Sequence, residues 1–270
     1  MFAREEVDAG MGLMPSLFIG HGSPMNAIEK NEFSDAWIAL GERLPKPEAI
    51  LSVSAHWFTE GTRVSNAEKP RMIYDMYGFP DALYRVNYPA LGAPRQAELA
   101  LELLHGAAQI DNGWGLDHGT WSVLRRLYPQ ADIPVFQVSV NRRASMQTHF
   151  ALGRTLRALR SQGVLILGSG NVVHNLAAVD FSIHGGFPWA ETFDRTIRTA
   201  VENRDFESVI AYERAGAAAA AAVPTADHFA PLLYVLGAAE DGDQLTVLND
   251  SCVFGSLSMT SYLFTERGNV

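Results

Sequence analysis

One cysteine, Cys252, stands alone among 270 residues. That excludes an intrachain disulfide and a thiolate-rich metal site, and it makes a reducing cytoplasm the default location. No apolar run is long enough to span a bilayer. The opening Met1-Phe-Ala-Arg-Glu-Glu-Val-Asp is acidic and lacks the apolar stretch of a signal peptide. There is no basic tract either. Lys and Arg number 21 against 30 Asp and Glu, a formal net charge of −9, which is a poor balance for holding nucleic acid or an anionic membrane. Gly168-Ser169-Gly170 is glycine-rich but has neither the lysine nor the spacing of a Walker loop. Ser23 and Ser169 both lie outside any G-x-S-x-G elbow, which weakens either as a hydrolase nucleophile.

What is present suits a globular protein. Apolar residues make up 47% of the chain and charged residues 19%, enough to fill a core and too apolar for disorder. Residues 1–14 read as a loosely ordered leader and 15–270 as one domain. Met14 is itself a candidate start. Apolar, β-branched runs near 16–20, 49–55, 133–140 and 163–168 read as buried strands. Helical spacing marks 31–44, 94–108, a segment around Leu124 and Leu127, and 146–161. The alanine run 214–223 favours helix and is stopped by Pro224. Strands alternating with helices predict an α/β sheet covered on both faces. Two apolar segments flanking Asn249-Asp250-Ser251 predict a C-terminal β-hairpin, so the sheet should be mixed but mostly parallel. The stretch 60–93 is rich in Pro, Gly and Tyr and has no period, as expected of a loop that covers a site.

The histidines carry the chemistry. His21, His56 and His174 end or follow strand-like runs, and His228 precedes a helical pattern. Neutral imidazole is both a metal ligand and a proton carrier near neutral pH, and open α/β sheets place their sites at strand ends. Each histidine alone also fits a purely structural role. His105 and His149, within helical runs, and His184, in a loop, are assigned none. Asp117 reads as the N-cap of a helix, with His118 at that helix's first turn.

Five strings in order, Gly20-His21-Gly22-Ser23-Pro24, Ser54-Ala-His56-Trp57, Asp117-His118-Gly119-Thr120-Trp121, Gly168-Ser169-Gly170-Asn171-Val-Val-His174-Asn175 and Asp227-His228-Phe229, resemble the class III extradiol ring-cleavage dioxygenases, the LigB-like superfamily, in their DOPA 4,5-dioxygenase branch. The likeness runs from about residue 14 to the C-terminus. It implies a mononuclear metal held by His21, His56 and His228, with His174 as acid/base and as a candidate fourth ligand, and His118 in contact with substrate. Ser23, Trp57 and Asp117, beside these histidines, are the further expected substrate contacts. The wider class uses two histidines and a carboxylate on Fe(II), whereas this chain offers a third histidine. Activity then requires Fe(II), while Zn(II), which three histidines also suit, is an ion that purified protein can carry. The implied substrates are a small catechol and O₂, and the product a muconic semialdehyde. Two other readings use the same residues: a zinc hydrolase activating a bound water, and a metal site that only fixes the fold. Oligomeric state is not legible.

Overall fold

The computed structural model describes residues 12–267. Its centre is a six-stranded sheet built from β1 (Ser16–Gly20), β2 (Ala49–Ser54), β3 (Val135–Gln137), β4 (Val164–Gly170), β5 (Gln244–Leu248) and β6 (Ser261–Thr265). The order across the sheet is β3-β2-β4-β1-β6-β5. The first four strands are mutually parallel, and β6 runs antiparallel to both β1 and β5. This is the mixed, mostly parallel α/β sheet that the sequence predicts.

Alternation along each strand sorts side chains between two layers. Leu17, Ile19, Ile50, Leu165 and Leu167 pack with Trp37 and Leu40 of helix α1 (Glu32–Arg43) and with Trp121 and Leu124 of helix α2 (His118–Leu127). On the opposite face, Leu51, Val53, Val164 and Ile166 meet helix α3 (Met146–Leu156) and helix α4 (Ala230–Ala238). Every residue of α4 is buried, as expected of a helix that is apolar all round.

That helix explains the glycines of Gly168-Ser169-Gly170, which are packing residues. A Cβ on Gly168 would lie 2.6 Å from the Pro231 carbonyl oxygen, and one on Gly170 only 2.1 Å from that of His228. Gly170→Ala is therefore expected to push His228 and the start of α4 off the sheet, at a cost of about 1–3 kcal/mol for overpacking. Urea denaturation checks this, with Gly242→Ala, which meets nothing within 4 Å, as the control that should leave stability unchanged.

Three expectations need correction. The hairpin strands pair as predicted, but Asn249-Asp250-Ser251 does not close them. The chain instead makes an excursion over 249–260, in which Cys252–Val253 pairs with Leu257–Ser258. Hydroxyls explain why it stays there: Ser258 and Thr260 both donate to the buried Asp194 carboxylate. Of the expected leader, residues 1–11 lie outside the described part, while Met14 is not loose. It is buried, its N–H donates to the Arg160 carbonyl oxygen, and its own carbonyl accepts from Arg160 Nε. Helix Pro188–Glu202 is absent from the sequence reading altogether. Among the described residues no helix is long and apolar enough to cross a membrane.

Candidate active site

Three adjacent parallel strands, β2, β4 and β1, point their carboxyl ends at one region, and the chain leaves each of them through a histidine segment. His21 directly follows β1, His56 follows β2 by one residue, and His174 lies four residues beyond β4. Two further imidazoles join from outside the sheet. His118 is the first residue of α2, and His228 stands just before α4, its carbonyl oxygen accepting from the Asn171 N–H at 2.9 Å. The ring centres of His56 and His118 are 3.9 Å apart, those of His21 and His228 5.3 Å, and those of His56 and His228 5.0 Å. His174 stacks on His228 at 3.4 Å with 5° between the planes. His21, His56 and His118 each offer one ring nitrogen within 4.8 Å of the others.

The partners of these rings fix which nitrogen is free. Ser169 Oγ donates its one hydrogen to the Gly119 carbonyl at 2.6 Å, so it can only accept from His21 Nδ1, 3.0 Å away. His56 Nδ1 lies 3.2 Å from Asp75 Oδ2, and His228 Nδ1 2.6 Å from Asp227 Oδ2. Each Nδ1 thus carries the hydrogen, leaving Nε2 a bare lone pair. The Nε2 atoms of His21 and His56 face one another at 3.3 Å. That of His228 is buried with no partner. Two facing lone pairs and an orphaned third are poor company for each other and good company for a cation. The donor set therefore fits a divalent metal.

Burial keeps His21, His56 and His174 neutral. His21 and His56 are held well below the ordinary histidine range, chiefly by desolvation. Repulsion from neighbouring imidazoles, His228 foremost for His21 and His118 for His56, adds to it. His174 is pushed down for the same reasons, against a weaker opposing pull from Asp227. Burial alone would raise the carboxyls of Asp75 and Asp227, but their hydrogen bonds to His118 and His228 outweigh it and both end below the usual range. Asp117 is the exception. Burial and the nearby Asp75 charge push it up to about 6, against hydrogen bonds from Ser54 and Trp114.

The other expected contacts fall differently. Asp117 is wholly buried and its oxygens are occupied, Oδ1 by the Ser54 hydroxyl and the Thr120 N–H and Oδ2 by Trp114 Nε1. It caps α2 and so sets where His118 stands. Ser23 Oγ caps the turn Pro24–Ala27 through the Met25 N–H. Trp57 is only 3% exposed, which leaves little ring face for a ligand. In the 60–93 segment, Tyr74 donates to the Val86 carbonyl and packs on Trp121, while Tyr77 is 92% exposed. Of its arginines, Arg63 bonds Gln109, Arg71 the Gly113 carbonyl, and Arg85 pairs with Asp81 on the surface. His149 is a core histidine 3.3 Å from the Tyr234 hydroxyl. Sequence reasoning missed Asp75, Asp227 and Ser169 as histidine partners. Asp227 is visible beside its histidine, whereas Asp75 sits in an aperiodic segment and sends no local signal.

Likeness to known proteins decides what the site belongs to. Residues 17–265 match the family described as the catalytic LigB subunit of aromatic ring-opening dioxygenase. The chain belongs to that family. It is an extradiol aromatic ring-opening dioxygenase, and nothing in these likenesses supports the hydrolase reading. It is 43% identical over 259 residues to the 4,5-DOPA dioxygenase extradiol of Escherichia coli K12, covering 92% of this chain and 93% of that one. It is 38% identical to the protein of the same name from Beta vulgaris, covering 93% and 96%. The crystal structure of an uncharacterized protein from Escherichia coli K12 superposes with a TM-score of 0.82 at 39% identity, covering 93% of this dioxygenase and all of that chain.

Proposed function

We propose that His21, His56 and His228 hold one divalent iron through Nε2. The substrate we propose is a catechol with a para side chain, of the DOPA or caffeate kind, cleaved beside rather than between its hydroxylated carbons. The observation that carries the ligand set is the pair of Nε2 atoms of His21 and His56 facing one another at 3.3 Å beside the buried, unpartnered Nε2 of His228. Three ligands leave open positions for two ring oxygens and O₂, so His118, although in the same cluster, is placed at the substrate. Bound Fe(II) supplies the redox chemistry that joins catechol to O₂, which Zn(II) has no means to do.

The protein's own groups then handle protons and charge. His174, kept neutral by burial, starts as a proton acceptor. It takes a hydrogen from a catechol hydroxyl and returns it as the ring opens. Its stacking on His228 fixes the ring beside a ligand. His118, at the N-terminus of α2, steadies negative charge that develops on the ring oxygens. The para side chain is supported by the names of the relatives.

The test is anaerobic loading with Fe(II), then a panel of catechols and air, scored by oxygen uptake and product mass. Both atoms of labelled O₂ should enter a ring-opened product with DOPA-like substrates. Absence of uptake with every catechol, despite full iron loading, would refute the proposal, and turnover of esters with Zn(II) alone would restore the hydrolase.

A further inference from the structure

Asp75 belongs to none of the strings that mark the family likeness, and its carboxylate lies against two of the site's imidazoles. It lies in the 60–93 segment, between Tyr74, whose hydroxyl is tied to Val86, and the exposed Tyr77. Its side chain is 11% exposed. One carboxylate oxygen is 3.2 Å from His56 Nδ1. The other is 3.1 Å from His118 Nδ1 and accepts the His118 backbone N–H at 2.8 Å. A single side chain therefore addresses two imidazoles whose ring centres are 3.9 Å apart, and it arrives from a different segment than either.

We propose that Asp75 is a positioning residue that sets the ring orientation and tautomer of His56 and, through the His118 backbone N–H, the placement of His118, and so fastens the 60–93 segment to the metal site. This deepens the reading above and rests on His56 being a ligand. The chemistry is specific to a carboxylate. An ionised carboxylate accepts at both oxygens, so His56 can keep Nδ1–H against one and present a bare Nε2, while the other takes the His118 backbone N–H and faces its Nδ1. An asparagine accepts at one oxygen and donates from the other position. It must turn one ring over or force that ring's hydrogen onto Nε2, and an imidazole protonated there cannot ligate. Loss of such a partner typically costs 10–100-fold in metal affinity or activity.

Asp75→Asn, Asp75→Glu and His56→Ala are compared as purified full-length proteins. Each is titrated with Co(II) in the absence of air, followed by its visible spectrum, and the Fe(II)-loaded forms are assayed for kcat and KM separately. The expected result for Asp75→Asn is Co(II) binding weakened roughly 10–100-fold with an altered spectrum, a raised KM through His118, and a thermal transition showing that it is folded. Asp75→Glu, which keeps two acceptors, should recover part of the affinity. An Asn variant with the wild-type Co(II) affinity and spectrum overturns the proposal even if activity falls, because a mere anchor for the segment would behave that way. His56→Ala separates the two levels. Lost Co(II) binding there, beside unchanged binding in Asp75→Asn, refutes the role of Asp75 alone, whereas full binding in His56→Ala refutes the ligand assignment itself.

Discussion

His228→Ala is expected to leave the protein folded, nearly free of metal and without ring-cleaving turnover. The residue enters from the loop before α4, and its carbonyl oxygen is fixed by the Asn171 N–H. The fold around it therefore has backbone reasons to persist when the ring is gone. The ring itself has one anchored nitrogen, 2.6 Å from Asp227, and one buried nitrogen with no protein partner. Removing a ligand should weaken metal binding by more than the roughly 10–100-fold that follows loss of a mere supporting partner. Metal analysis after gel filtration gives the answer. Stoichiometric iron in the variant would take His228 out of the coordination sphere and leave His118, the other nitrogen donor of the cluster, as the candidate third ligand.

His174→Gln should separate binding from chemistry. His174 lies flat against His228 and is placed beside the proposed ligands rather than among them. The variant should therefore keep its metal and still bind catechol, while turnover falls by about 10²–10⁴-fold, the usual contribution of a general acid/base. Catechol binding to the iron-loaded variant without air, read optically, and steady-state oxygen uptake test the two halves. A variant that loses its metal would make His174 a fourth ligand.

Much of this was legible in the chain, for identifiable reasons. Strands buried on both faces leave continuous apolar runs, so β1, β2 and β4 and the histidines that follow them could be read directly. Glycine was harder. Gly168-Ser169-Gly170 looks like a binding loop, and only the course of α4 reveals two glycines making room for a carbonyl oxygen and a serine that orients His21. The turn chemistry of Asn249-Asp250-Ser251 gave correct pairing and a wrong connection, because the excursion that replaces it is held by the distant Asp194. Asp117 and Trp57 were expected at the substrate by adjacency to histidines. Burial and hydrogen bonding put Asp117 under the helix instead and leave Trp57 little exposed surface. Asp75 had no period, cap or motif to announce it. Its importance comes from two rings that meet only when the sheet is complete.

The nitrogen donors we propose as ligands reach the site from residues 21, 56 and 228, and no two of them share an element. An unfolded chain therefore presents no chelating pair within a short loop, and the ion distinguishes native from denatured molecules almost completely. By mass action, free metal at 100 times its dissociation constant adds about 2.7 kcal/mol to the unfolding free energy. The melting temperature of this enzyme should then follow metal supply, and a chelator should act as a mild denaturant. Escape of the ion would erode conformational stability and activity at the same time, so the dioxygenase would age through one event rather than two.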